Sequence, residues 1–255
     1  MRCLHMSGAG NDFMVIDGRG LAGNYEELAK RLCAITGADG FMAVDHSDVA
    51  DFRLHYYNSD GSRGEMCGNG SRCICKFAYD MGIAGKEMTV ETDAGTVSGW
   101  RLADTQYRVR LTRPVDIDLE AKPGVAYAVC GVPHAVLEQP GLDWEQKETL
   151  RQQAKELRYD PVFPKGTNVD FYDWLEDTTV RVLSYERGVE DYTLACGTGC
   201  GALTAVLYTA GKLPGKTLTA VNPGGTLQIT VEAQGGLISG LLLEGPAEVL
   251  GEYEV

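Results

Sequence analysis

Apolar and polar positions alternate in short runs along most of this chain, and glycine turns separate the runs. Alternation with a period of two predicts half-buried strands. The best candidates lie at 2–6, 11–17, 41–45, 52–57, 88–92, 106–112, 125–130, 178–185, 226–233, 237–243 and 247–254. Three or four helices interrupt them. Asn24 is placed to cap one, with Glu27 completing a capping box and Gly37 closing the run. A polar helix is expected near 143–157. Two further helices carry apolar residues at i, i+3, i+4 and i+7: Ile74, Phe77, Ala78 and Met81 in one, Leu203, Val206, Leu207 and Ala210 in the other. Each run meets a glycine at the same offset, Gly82 and Gly211, and reads as an amphipathic helix with a glycine stop.

The two matching helices belong to a repeat. Cys67-Gly68-Asn69-Gly70 precedes the first and Cys196-Gly197-Thr198-Gly199 the second, about half the chain length apart. The 255 residues therefore read as two copies of one unit, and the fold class expected is α+β: two pseudo-symmetric domains, each a curled, mostly antiparallel sheet around one central helix. The domains are placed at 1–114, with the last strand 247–255 returning to it, and 115–246. The crossing falls near Thr112 to Val115, and the absence of a long linker predicts halves that face each other closely.

Composition narrows the function classes. Hydrophobic residues at 44% and charged residues at 23% are those of a globular protein. A net charge of −13 with no basic run excludes a nucleic-acid binder as the leading reading. No signal peptide or membrane-spanning run is evident, so a cytoplasmic location is expected, with the eight cysteines reduced. Cys3, Cys33, Cys73, Cys75 and Cys130 read as small buried hydrophobes. The cysteine spacings match neither paired zinc knuckles nor a dithiol redox motif, so no metal is expected.

Cys67 and Cys196 differ because each opens a glycine-rich turn before a helix. The free N–H groups and the helix dipole there favour an anion, which predicts a lowered thiol pKa and a cradle for a carboxylate. If both turns hold one α-carboxylate, the α-carbon lies between two sulfurs. A thiolate on one face removes the α-proton, a thiol on the other returns one, and the centre inverts. No segment suggests a pyridoxal phosphate site, so the reading implies no cofactor and an electrostatic sink made of N–H donors.

Further motifs carry a family resemblance. Gly8 to Phe13, Asn58 to Ser62, Cys67 to Arg72, Glu186 to Gly188 and Ala195 to Gly199 together resemble the diaminopimelate epimerase family, in family order and across nearly the whole chain. The resemblance implies two domains with a sheet wrapped on a central helix, a homodimer, and an amino-acid substrate epimerised by paired cysteines, here Cys67 and Cys196. It implies substrate contacts from Asn11, Asn58, Asn168, Glu186 and Arg187, and from the amides of Gly68, Asn69, Gly197 and Thr198. Arg187 with Asn58 and Asn168 would take the distal carboxylate and Glu186 the distal ammonium. Glu186 and His134 are also candidate catalytic groups, His134 as a residue that tunes a thiol or relays protons. One position departs from the family pattern. Val132 stands before Pro133 and His134, where the family carries asparagine. The expected reaction is LL- to meso-diaminopimelate. The alternatives are a related cofactor-independent racemase of another amino acid such as histidine, a proline-racemase-like isomerase, or a non-catalytic binding or redox-sensing protein. The second repeat, with Glu186 and Arg187 ahead of its cysteine, carries more of the expected specificity.

Overall fold

The computed structural model describes residues 1–21, 24–64 and 67–254. Its first elements are β1 (Arg2–Gly8), β2 (Asn11–Asp17), α1 (Tyr25–Thr36), β3 (Gly40–Asp45), β4 (Phe52–Asn58), α2 (Gly68–Asp80), β5 (Glu87–Thr92), β6 (Gly95–Arg101) and β7 (Gln106–Leu111). Then come β8 (Val115–Lys122), β9 (Val125–Cys130), β10 (Val132–Glu138), a 3-10 segment at Trp144–Leu150, α3 (Arg151–Arg158), β11 (Asn168–Glu176) and β12 (Thr179–Glu186). The rest are β13 (Asp191–Thr193), α4 (Gly197–Thr209), β14 (Thr217–Asn222), β15 (Gly225–Gln234), β16 (Leu237–Pro246) and β17 (Glu248–Glu254). The chain divides into two compact units, Met1–Arg110 with Glu244–Val255, and Leu111–Leu243. The divisions fall within β7, between Arg110 and Leu111, and within β16, between Leu243 and Glu244. Val255, the end of the expected last strand, lies outside the described residues.

In the first unit β17 pairs antiparallel with β1, and β1 with β2. The pair β2–β3 is parallel and bridged by α1; β3–β4 is antiparallel. The pair β4–β5 is parallel and bridged by α2; β5–β6 and β6–β7 are antiparallel. A parallel pair needs a crossover, and the two helices supply it. The second unit repeats the scheme. Strands β8–β9 and β9–β10 are antiparallel, β10–β11 is parallel across α3, β11–β12 antiparallel, β12–β14 parallel across α4, and β14–β15 antiparallel. The mostly antiparallel α+β reading agrees with this pattern.

Period-two patterning explains which face meets which helix. In the first unit Met14, Ile16, Phe41 and Ala43 pack with Ala29, Leu32 and Cys33 of α1. In the second, Ala135, Leu137, Val169, Phe171, Leu183 and Tyr185 pack with Ala154 and Leu157 of α3. The alternate positions of those strands face the other way, where α2 and α4 lie. Central strands buried on both faces lose the polar–apolar alternation that marks a strand. That is why β10 and β11 are missing from the sequence-derived strands; β6, β8, β13 and β14 are missing as well, although they are partly or largely exposed.

The two post-cysteine helices are not one-faced. In α2 every residue from Gly68 to Cys75 is buried, and in α4 burial is nearly continuous from Gly197 to Leu207. The sheet encloses them, so the apolar stripe describes only part of the contact. Asn24 caps α1 by accepting from the Glu27 amide at 3.4 Å, and Gly37 closes the helix at φ 77°. The helix expected at 143–157 begins as the 3-10 segment and becomes α-helical only at Arg151.

Candidate active site

Both cysteines occupy helix N-caps, in nearly the same backbone conformation. Cys67 has φ −114° and ψ 121°, and Cys196 φ −111° and ψ 106°. An N-cap side chain normally offers oxygen to the amide three residues on. Here sulfur takes that place: Cys67 Sγ accepts from Gly70 N at 3.5 Å, and Cys196 Sγ from Gly199 N at 3.4 Å. The repeat seen in the sequence is thus a repeat of geometry.

In the first unit the Cys67 thiol donates to Asn11 Oδ1 at 3.4 Å, and Asn11 Nδ2 donates to Asp39 at 2.5 Å. Burial pushes the Asp39 carboxyl up, against the opposing hydrogen bonds from Asn11 and the Asp12 amide. Asn69 is buried with its Oδ1 accepting from the Arg72 guanidinium at 3.0 Å, so its expected role is confined to the backbone amide. Arg72 is itself fully buried and also donates to the carbonyls of Gly68 and Pro246. Asn58 donates to Ser62 Oγ at 2.9 Å and accepts from the Tyr56 hydroxyl at 3.3 Å.

In the second unit three strands bring polar groups to one face. His134 lies opposite Asn168 in the β10–β11 register, and Asp170 lies opposite Ser184 in β11–β12. Glu186, at the end of β12, shares the face of Ser184 because strand side chains alternate. His134 Nδ1 is 2.7 Å from Asp170 Oδ2, and Ser184 Oγ donates to Asp170 Oδ1 at 2.6 Å. An imidazole nitrogen, an Asp170 oxygen and Cys196 Sγ all lie within 4.8 Å of one another. Within this trio His134 and Asp170 are joined by their hydrogen bond. Glu186 accepts from Thr193 Oγ1 at 2.5 Å. Asn168 Oδ1 accepts from the Arg187 amide at 2.8 Å, while the Arg187 guanidinium donates to the Lys165 carbonyl at 2.8 Å.

The expectation of a lowered thiol pKa does not hold for Cys196. Burial pushes it well above the ordinary 9.0, and the charges of Glu186 and Asp170 push it further. Hydrogen bonds from Thr198 and the Gly199 amide oppose the shift without cancelling it. Burial also raises the Glu186 carboxyl, opposed chiefly by Thr193. Cys3, Cys33, Cys73, Cys75 and Cys130 are buried thiols raised by desolvation to between about 11 and about 12, as their structural reading requires.

Asp170, Ser184 and Thr193 lie around the second cysteine turn, and Asp39 and Arg72 around the first; the sequence reading gave none of them a role. Asp170 had a signal available: Asn168 and Asp170 are polar at a spacing of two within Asn168-Val169-Asp170-Phe171, so one strand presents both on one face. That signal depends on recognising β11 as a strand.

A family model described as diaminopimelate epimerase matches residues 3–114 and 126–250. The diaminopimelate epimerase of Aquifex aeolicus is 37% identical over 86% of this chain and 86% of its own length. That of Chlorobaculum tepidum is 35% identical over 96% of this chain and 97% of its own. Among solved structures, a Bacillus anthracis protein of the PhzF phenazine-biosynthesis family superposes with a TM-score of 0.77 at 16% identity, covering 100% of this chain and 98% of its own. A probable proline racemase from Agrobacterium radiobacter gives 0.74 at 19%, covering 100% and 92%. At those identities the likeness is one of fold.

Proposed function

Because the chain belongs to the diaminopimelate epimerase family, we propose that it is an isomerase that interconverts LL- and meso-diaminopimelate by inverting one α-carbon. The observation that carries this reading is the pair of sulfur-capped helix N-termini with matching backbone angles. One cysteine takes the α-proton as thiolate and the other, as thiol, delivers a proton to the opposite face. The amides of Gly68, Asn69, Gly197 and Thr198 stabilise the carboxylate as charge develops on it. Arg187, Asn58 and Asn168 are assigned to the distal carboxylate and Glu186 to the distal ammonium. Asn11, held by Asp39, orients the thiol of Cys67.

A high thiol pKa at Cys196 supports the same assignment. A group that stays protonated at neutral pH is a proton donor at rest, and its thiolate, once formed, is a strong base. The reading includes a small-molecule amino-acid substrate, a cytoplasmic location and a homodimer, the last checked by sedimentation.

Incubation with LL- or meso-diaminopimelate in D2O, without added cofactor, tests the activity. Deuterium entering at the α-carbon with inversion is the expected result. Exchange with a different amino acid and none with diaminopimelate would overturn the substrate and point to Val132 as the altered position. No exchange with any amino acid would overturn the epimerase reading itself.

A further inference from the structure

The loop that follows Glu186 is anchored to helix α3. Strands β12 and β13 pair antiparallel with Glu186 opposite Asp191, so Arg187 to Glu190 form the loop of a hairpin. The Glu190 amide closes it on the Glu186 carbonyl at 2.8 Å. Glu190 sits in the left-handed region at φ 58°, which a side-chain-bearing residue keeps only when its surroundings hold it there. Here every polar group it has is fixed. Its carbonyl accepts from the Tyr185 hydroxyl at 2.7 Å. Its Oε1 accepts from Arg158 Nη2 at 2.7 Å, Arg158 Nε at 3.0 Å and the Gly188 amide at 3.0 Å, and its Oε2 from the Tyr159 hydroxyl at 2.9 Å. Burial pushes this carboxyl up, but the Gly188 amide, Arg158 and Tyr159 outweigh it and hold it below its ordinary 4.5, so Glu190 is ionised at neutral pH.

Arg151 and Arg158, seven residues apart, share one face of α3. Arg151 pairs with Asp191 at 2.8 Å, just past the loop, and Arg158 with Glu190 at its last position. The segment before β11 meets the same loop. Asn168 Oδ1 accepts from the Arg187 amide, and the Lys165 carbonyl from the Arg187 guanidinium. Between those two acceptors, Gly166 carries no side chain beside Arg158; a Cβ there would collide with Nη1. The place of Arg187 therefore depends on a loop whose shape is set by Glu190 and its partners.

We propose that Glu190 is a positioning residue: clamped by Arg158, it sets the shape of the 187–190 loop and so places Arg187 for the distal carboxylate of the substrate. The proposal rests on the epimerase reading for the role of Arg187. A guanidinium on a fixed loop loses less freedom when it closes on a carboxylate than one on a mobile loop does. That gain belongs to binding rather than to proton transfer at the α-carbon, so it is read in KM.

The test is Glu190→Gln, which keeps the size of the side chain and removes its charge. The expected result is a KM for diaminopimelate raised about 10-fold, with kcat changed by less than about twofold. In an Arg187→Ala background the same substitution should add nothing further, because the group that Glu190 places is gone. Amide hydrogen exchange reads the loop without substrate: the Arg187 amide, protected by Asn168, should exchange about 10-fold faster in Glu190→Gln. Arg158→Lys keeps the charge and loses the fork, and its KM should lie between those of the parent and Glu190→Gln.

A lowered kcat at unchanged KM overturns the proposal. So do losses that multiply in the double variant, and an Arg187 amide whose exchange does not change. An Arg187→Ala protein with the parent's KM overturns the assignment of Arg187 to the distal carboxylate instead, and a parent that turns over no diaminopimelate overturns the epimerase reading. In both cases the amide exchange still decides whether Glu190 sets the loop.

Discussion

The two cysteine turns share a backbone and differ in what lies beneath them. Under the first, a Cβ on Gly70 would meet Met42 Sδ at 3.2 Å and Phe13 Cζ at 3.3 Å; under the second, a Cβ on Gly199 would meet Asp170. The strand registers make the correspondence residue by residue. Phe13 pairs with Gly40 as His134 pairs with Asn168, and Met42 faces Tyr56 as Asp170 faces Ser184. The first floor is apolar, with Phe13 and Tyr56 packed edge to face at 6.0 Å. The second is a buried polar network. Within the helices the asymmetry reverses sign: the first carries the buried cation Arg72, and the second has Gly201 at that position. A duplicated scaffold thus repeats what holds the sulfur in place and varies what lies beneath it.

The largest effect expected is from removing either sulfur. Cys67→Ala and Cys196→Ala should each lower α-proton inversion by about 1,000-fold or more, measured by deuterium incorporation. Full activity in either variant would break the pairing of the two turns. Next is His134→Phe, which gives the second floor the residue of the first. It should cost roughly 100-fold in turnover and also lower the unfolding midpoint, because Asp170 Oδ2 is left buried without its partner. An unchanged rate would remove the imidazole from the reaction.

The glycines sharpen the comparison as a stability difference. Gly199→Ala pushes against a carboxylate pinned by two hydrogen bonds and should destabilise by about 2–3 kcal/mol in urea titration. Gly70→Ala meets a thioether and a ring edge that yield, and should cost about 1 kcal/mol. Equal costs would mean that the polar floor is no more rigid than the apolar one.

The smallest effect concerns charge. Glu186→Gln removes a negative neighbour of Cys196, so the thiol pKa falls and its alkylation, read by site in a Cys67→Ala background, quickens at pH 8. An unaltered profile would show that burial alone sets the thiol. The carboxyl of Glu186 is itself raised in the folded state above its ordinary 4.5. The folded protein therefore holds that proton more tightly than the unfolded chain does. The contribution to stability is complete below 4.5 and is lost as the pH rises through the raised value. The Gln variant should show a flatter profile there.

The sequence made the repeat legible because its signals are local: a cysteine, a glycine turn and an apolar helix within a few residues, and caps such as Asn24 and Gly37 that need only near neighbours. Strands β10 and β11 were hidden for the opposite reason. Burial on both faces erases the alternation, and with it went the signal that sets Asp170 beside Asn168. Arg72 and Asp39 were equally unreadable, because their partners, Pro246 and Asn11, come from distant parts of the chain.

From the sequence alone, then, came the two cysteine turns, their helices, the α+β class and the family, since each depends on residue type and short spacing. Tertiary structure decided the proton chemistry of Cys196. A helix N-terminus favours an anion by local dipoles, but burial, with Glu186 and Asp170 nearby, pushes the thiol the other way. Which effect wins depends on what the sheet brings beneath the turn, and pairing across strands sets that.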